Sequence, residues 1–225
     1  MDGKLKAKET WERFFEGIKH RNRFFIDDDI KTDLVRIINL FNTTLNYGQV
    51  LYRARINDKD NNKPYTSSQM GVPHAESARY GRANPAGIPY LYTSTKENTC
   101  IAEVRPSLED LITVGSFKLK KTIKVVNLDD AIPIPENRYF EYLAYYLQVT
   151  FSTRVSQERS EIDYVPYQFI CELIKVQGFG GVQYRSYMDK DPFACNVVLF
   201  DEHSVECTET KLYKVVNVDY SFVES

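Results

Sequence analysis

Two stretches near the N-terminus carry apolar residues at the three- and four-residue spacing of a buried helix face. Residues 8–46 are predicted to be helical, as KETWERFFEGIKHRNRFF and, after the acidic run IDDDI, KTDLVRIINLFNTTL. In the second helix the apolar positions are Leu34, Ile37, Ile38 and Phe41, which line up on one face. The aspartates at 27–29 precede this helix, where negative charge stabilises a helix N-terminus.

From residue 49 the pattern changes to short runs, several of which alternate apolar and polar residues as half-buried antiparallel strands do. Strands are predicted at 49–56, 88–94, 111–118, 122–128, 180–185, 195–201 and 211–219. Helices are predicted at 96–105, 136–151 and 165–177, the first of them behind a capping box from Ser94 to Glu97. A polar, Gly- and Pro-rich loop spans residues 57–87, and loops that long are usually functional or disordered.

These elements indicate an α+β fold. We predict an N-terminal helical segment over residues 1–47, followed over residues 48–225 by a domain of mostly antiparallel strands with flanking helices. The 225 residues are enough for one core with a small helical appendage.

Composition excludes several classes of function. A net charge of −2 provides no basic surface for nucleic-acid binding. The sequence holds no apolar run of the roughly 18 residues that a membrane span needs, and its N-terminus lacks the apolar core of a signal peptide. The four scattered cysteines indicate reduced thiols in the cytoplasm, with neither a disulfide framework nor a zinc site.

Some motifs are too weak to assign a function. Arg13 and His20 are separated by six residues, which resembles the signature of helical HEPN ribonucleases, but a solvated helix face explains the pair better. The three histidines are far apart, so a metal cluster or a catalytic triad has little to build on. The run GFGGVQYRS matches neither a dinucleotide-binding fingerprint nor a P-loop.

A stronger set combines arginines, a tyrosine and a carboxylate. Arg53 and Arg55 share one face of the strand LYRAR, and such a face is costly to bury unless anions meet it. Acidic partners within the protein could also satisfy them. Arg82 lies in the turn-forming run GRANPAGIP, which would hold its guanidinium in a fixed place. Tyr92 ends the next strand, and Glu103 flanks the apolar face of the following helix.

Five blocks resemble the RES domain, a bacterial family named after an arginine, a glutamate and a serine. In order they are LYRAR, GRANPAGIPYLYTS, TCIAEVRP, GGVQYRS and ACNVVLF, within residues 48–202. The resemblance implies a fold similar to that of diphtheria-type ADP-ribosyltransferases, with NAD as substrate rather than a cofactor. One departure is Tyr167, which precedes Gln168 where family members often have threonine.

The resemblance also implies the site. It assigns catalysis to Glu103, Arg53 and Ser186, and NAD binding to Arg53, Arg82, Tyr92 and Asn196, with no metal ion. Arginines pair diphosphate oxygens bidentately, and the Tyr92 ring could stack on the cationic nicotinamide. A carboxylate near the ribose stabilises the oxocarbenium-like transition state.

Three functions agree with these residues. The first is cleavage of the nicotinamide–ribose bond by water or inorganic phosphate, as in the toxin of a toxin–antitoxin pair or a defence effector. The second is transfer of ADP-ribose to a protein, and the third is an inactive RES-like binding module. The implied partners are NAD, phosphate, an antitoxin and, through the N-terminal helices, a second copy of the chain.

Overall fold

One mixed sheet organises the protein. The computed structural model describes residues 2–130, 137–153, 155 and 160–218. The strands in these ranges are β1 (Asn42–Leu45), β2 (Val50–Ile56), β3 (Leu91–Ser94), β4 (Leu111–Leu119), β5 (Ile123–Asn127), β6 (Gly181–Arg185), β7 (Cys195–Leu199) and β8 (Val205–Lys214). Their spatial order is β1-β5-β6-β7-β3-β2-β4-β8, and every neighbouring pair is antiparallel except β5 and β6. The predicted α+β fold of mostly antiparallel strands is confirmed.

Helices cover one face of this sheet. The helices are α1 (Gly3–His20), α2 (Asp28–Leu40), α3 (Glu97–Glu103), α4 (Arg138–Ser152), α5 (Ser160–Asp163) and α6 (Val165–Val176). Phe14 of α1 meets Phe169 of α6 with ring centroids 5.8 Å apart, and Phe151 of α4 meets Tyr184 of β6 at 5.6 Å. These contacts belong to one continuous core that also includes Val198 of β7. The N-terminal helices therefore share the core that supports the sheet.

The opposite face is covered by the long loop. Leu51, Leu91 and Val197 pack there with Tyr65 and Met70 of the loop. On the same face as the other helices, short α3 closes a smaller cluster in which Cys100 contacts strand β4. Strand β7 lies between both layers and is buried along its whole length, which explains why its run CNVVL does not alternate.

Three local predictions need correction. The second N-terminal helix ends at Leu40 rather than near residue 46, because residues 42–45 pair with β5 as strand β1. The capping box is absent: Lys96 is the N-cap of α3 without a side-chain bond, and Ser94 bonds to Asn196 instead. The strand predicted at 211–219 is β8, which begins at Val205 and ends at Lys214.

The first N-terminal helix also lies five residues earlier than predicted, because α1 runs from Gly3 to His20 rather than from residue 8 to residue 25. The remaining predictions stand close to the observed bounds. The loop at 57–87 contains two short 3-10 helices, Ser67–Met70 and Ala75–Ser77. The helix predicted at 136–151 begins, and the strand predicted at 211–219 ends, at a residue outside the described ranges. The predicted boundary at residues 47 and 48 falls between β1 and β2 of the same sheet. In the described ranges, no helix has the length and apolar character required to cross a bilayer.

Candidate active site

The predicted site residues lie on elements that meet at the middle of the sheet. Arg53 is on β2, Tyr92 on β3 and Asn196 on β7, and these strands are neighbours. Glu103 is the last residue of α3, and Ser186 directly follows β6. Because only two residues separate the end of β3 from the start of α3, the chain turns back over the sheet and carries Glu103 toward the strands.

The carboxylate of Glu103 is held by two donors on one oxygen. The Ser186 hydroxyl donates to its Oε1 at 2.6 Å, and the Asn196 amide donates to the same atom at 2.7 Å. The Ser186 oxygen in turn accepts from the backbone N–H of Met188 at 3.1 Å. Within the described residues no donor reaches Oε2, so one oxygen fixes the carboxylate while the other is available to a ligand.

Arg53 is a half-buried cation that forms no ion pair with an acidic side chain among the described residues. Its Nη1 donates to the carbonyl of Tyr92 at 3.3 Å, but its buried Nε has no hydrogen-bond partner. Burial, followed by the nearby positive charge of Arg55, lowers the pKa of Arg53 to about 10. Its neighbour Arg55 instead donates to the carbonyl of Gln69. The two arginines of the strand therefore differ, and only Arg53 has unused donors next to a cavity.

Arg82 comes from the loop before β3 and is surrounded by aromatic rings. Its guanidinium lies 5.5 Å from the ring centroid of Tyr167, 5.7 Å from that of Tyr184 and 6.0 Å from that of Tyr164. It also donates to the backbone carbonyl of Phe151. Cation–π attraction to these rings holds the charge without neutralising it.

Tyr92 anchors the turn that carries Arg82. Its hydroxyl accepts from the N–H of Ala83 at 2.9 Å and donates to Oδ1 of Asn84 at 2.8 Å. A side chain at Gly81 would bring a Cβ atom within 2.5 Å of this hydroxyl, so glycine is needed for the close approach. Burial raises the pKa of Tyr92, which keeps the hydroxyl protonated as a donor. Its ring lines the cavity, where stacking on a ligand stays a prediction.

Two adjoining cavities meet at Glu103. The larger, about 290 Å³, has Arg53, Tyr92 and Ser94 in its wall. The smaller, about 50 Å³, has Arg82 and two further arginines in its wall. Both cavities are also lined by Glu103, Tyr184 and Asn196. The predicted residues therefore surround a bipartite cleft with a carboxylate at the junction and an arginine in each half.

The two further arginines, Arg105 and Arg185, were not predicted as site residues. Arg105 leaves α3 with a backbone φ of +50°, a strained conformation for a residue other than glycine. Arg185 is paired through Nε with Asp129 at 2.8 Å. Both lie within the blocks EVRP and QYRS, so their closeness to Glu103 and Ser186 in the sequence was the available signal.

Known protein families and structures contain chains similar to this one. The family model described as RES domain matches residues 50–215, well over half of the chain. The chain belongs to the RES domain family. A solved structure described as the M. tuberculosis MbcT–MbcA toxin–antitoxin complex contains a similar chain. It is 13% identical, the match covers 82% of this chain and 92% of that chain, and the TM-score is 0.46. No curated protein matches the chain by sequence.

Tyr167, noted in the sequence as a departure from the RES pattern, packs against Arg82 and lines neither of the two cavities. The buried ring of Tyr167 is one of those around Arg82, and its neighbour Gln168 donates to the carbonyl of Gly81 at 2.9 Å. The ring of Tyr167 therefore adds a contact that holds the arginine.

The weaker sequence motifs lie elsewhere in this RES protein. Arg13 pairs with Asp29 at 2.9 Å and Asp27 at 3.4 Å, and His20 lies 3.7 Å from Glu16. The Arg13 contacts are surface ion pairs, and the His20 contact lies on the exposed face of α1. Among the residues that the structure describes, no group of three or more His, Cys, Asp or Glu side chains is placed to hold a metal ion.

Proposed function

We propose that this RES protein consumes NAD by cleaving the bond between nicotinamide and ribose. The observation that carries the proposal is the position of Glu103 where the Arg53 cavity joins the Arg82 cavity. A dinucleotide has an anionic diphosphate and a cationic ring on either side of a ribose. Guanidinium groups suit the first, and a carboxylate suits the sugar on which positive charge develops.

The chain's own residues supply electrostatics rather than proton transfer to the leaving group. The bonding electrons move to the nicotinamide nitrogen, and nicotinamide departs as a neutral molecule. Glu103 stabilises the cationic ribose, while Ser186 and Asn196 hold its carboxylate. The acceptor oxygen then bonds to the ribose carbon, and water loses a proton to solvent in the same step.

The lining of the small cavity favours binding of an anion beside the reacting sugar. Arg82, Arg105 and Arg185 all line it, and its volume of about 50 Å³ leaves room for one small group. This cavity would take either part of the diphosphate or inorganic phosphate as the acceptor. Water as acceptor gives ADP-ribose, and phosphate gives its phosphorylated counterpart.

The biological role that we propose is that of a toxin neutralised by an antitoxin, on the ground that the RES family includes such toxins. The expected antitoxin would inhibit by covering the cleft around Glu103. Expression of the chain alone should then lower cellular NAD and stop growth, whereas the Glu103→Gln variant should do neither.

Nicotinamide release from NAD tests the chemistry directly. Glu103→Gln retains an oxygen that can accept from Ser186 and Asn196 but removes the charge, so we expect turnover to fall about 100- to 1000-fold with NAD binding retained. The assay is run without and with phosphate, and with labelled NAD and a protein mixture. Small-molecule product supports NAD cleavage, while label retained on protein indicates an ADP-ribosyltransferase. If the wild type is as inert as the variant with water, phosphate and protein as acceptors, the chain is a binding module.

A further inference from the structure

A serine that the function has not used lies next to Asn196. Ser94 ends strand β3, is 2% exposed and pairs with Asn196 of β7 in the strand register. Its hydroxyl donates to Oδ1 of Asn196 at 2.8 Å. The amide nitrogen of Asn196 donates in the opposite direction, to Oε1 of Glu103. The three side chains thus form one directed chain of hydrogen bonds.

The direction of this chain depends on the serine. The two ends of an asparagine amide have almost the same shape, but one only donates and the other only accepts. With the amide reversed, its oxygen would stand 2.7 Å from the carboxylate oxygen of Glu103, and two acceptors would repel each other. A donor at Oδ1 favours the correct orientation, and Ser94 is the described side chain that supplies it.

We propose that Ser94 is a positioning residue that orients Glu103 through Asn196. This inference rests on the proposed NAD-cleaving function. Ser94 does not act on the substrate in this role; it keeps the Asn196 amide turned toward the carboxylate. Ser186 holds the same oxygen from the other side, so losing Ser94 weakens the orientation of Glu103 without abolishing it.

A merely structural role is the competing explanation, since Ser94 also links β3 to β7. A matched control separates the two. Ser204 has the same 2% exposure and also donates a hydrogen bond, to the carbonyl of Asp201 at 2.7 Å, but it does not line the cleft. Ser204→Ala therefore reports the effect of losing a buried serine hydroxyl on stability alone.

Steady-state kinetics provide the first test. In Ser94→Ala we expect the kcat for nicotinamide release to fall about 10-fold while KM for NAD changes less than about twofold, the size of one lost hydrogen bond felt in the transition state. Ser94→Thr, which keeps the hydroxyl and has the cleft beside it for the extra methyl group, should restore most of the rate. Ser204→Ala should lower the melting temperature to a similar extent and leave kcat unchanged. Full activity in Ser94→Ala, or failure of threonine to restore a reduced rate, overturns the proposal.

A second measurement does not depend on turnover. The side-chain amide protons of Asn196, assigned by NMR, should exchange slowly with solvent in the wild type and clearly faster in Ser94→Ala. Unchanged exchange overturns the proposal even if the wild type proves inert toward NAD. An inert wild type with faster exchange in the variant instead refutes the proposed function and supports the orienting role of Ser94 toward Asn196.

Discussion

The buried guanidinium of Arg53 should lower the stability of the folded protein while contributing to NAD binding. Replacing Arg53 should therefore change these two properties in opposite directions. The guanidinium has one buried donor without a partner and one long bond to a backbone carbonyl. Arg53→Met keeps much of the side-chain volume and removes both the charge and the unpaired donor. We therefore expect the variant to be more stable than the wild type while it loses affinity for NAD.

The size of the gain follows from two opposing contributions. A buried donor without a partner costs about 1–3 kcal/mol, and the bond from Nη1 to the Tyr92 carbonyl contributes about 1 kcal/mol. The net gain in unfolding free energy for Arg53→Met is then about 1 kcal/mol. In a chain of this size, that raises the melting temperature by about 2–4 °C.

Thermal denaturation with and without NAD measures both effects. NAD at 100 times its dissociation constant would stabilise the wild type by about 2.7 kcal/mol, and Arg53→Met should lose most of this shift. Arg55→Met is the matched control on the same strand. Its guanidinium donates to Gln69 and lies 4.5 Å from the ring centroid of Tyr65, so its loss should lower stability slightly and preserve the NAD shift. A melting temperature of Arg53→Met more than about 2 °C below that of the wild type would refute the reasoning.

Three other outcomes follow from the same contacts. Tyr92→Phe should lower stability by about 1–2 kcal/mol and raise KM for NAD through a looser Arg82 turn, and an unchanged KM would contradict the anchoring role. Deletion of residues 1–47 removes β1 and the two helices that pack on α4, so sizing chromatography should show aggregated protein. A folded monomer or dimer would show that this segment is dispensable. Burial raises the pKa of Tyr92 and of Tyr184, so the contribution of these two groups to stability should be constant below about pH 10 and fall above it, where they ionise only in the unfolded chain. Circular dichroism with tyrosinate absorbance would detect this, and stability that stays constant from about pH 10 to about pH 12 would contradict it.

The sequence by itself determined the periodic parts of the fold and indicated the family. Helical spacing located α2, and alternation located several strands, because both patterns are local consequences of one buried face. The blocks around Arg53, Arg82 and Glu103 indicated the RES family before any coordinates were considered. Such blocks can be recognised because a fixed functional site constrains residue types within short runs of chain.

The tertiary structure alone decided how these residues are paired. Strand β1 was missed because its hydrogen-bond partner, β5, lies about 80 residues away in the sequence. The local sequence pattern does not show that a distant strand will pair with it. The capping motif at Ser94 was assigned wrongly for a related reason. The Ser94 hydroxyl donates its hydrogen bond to Asn196, 102 residues away, rather than to the backbone of α3. Whether a polar group bonds to its own helix or to a neighbouring strand depends on which partners folding brings within about 3 Å, and that is settled only when the sheet has formed.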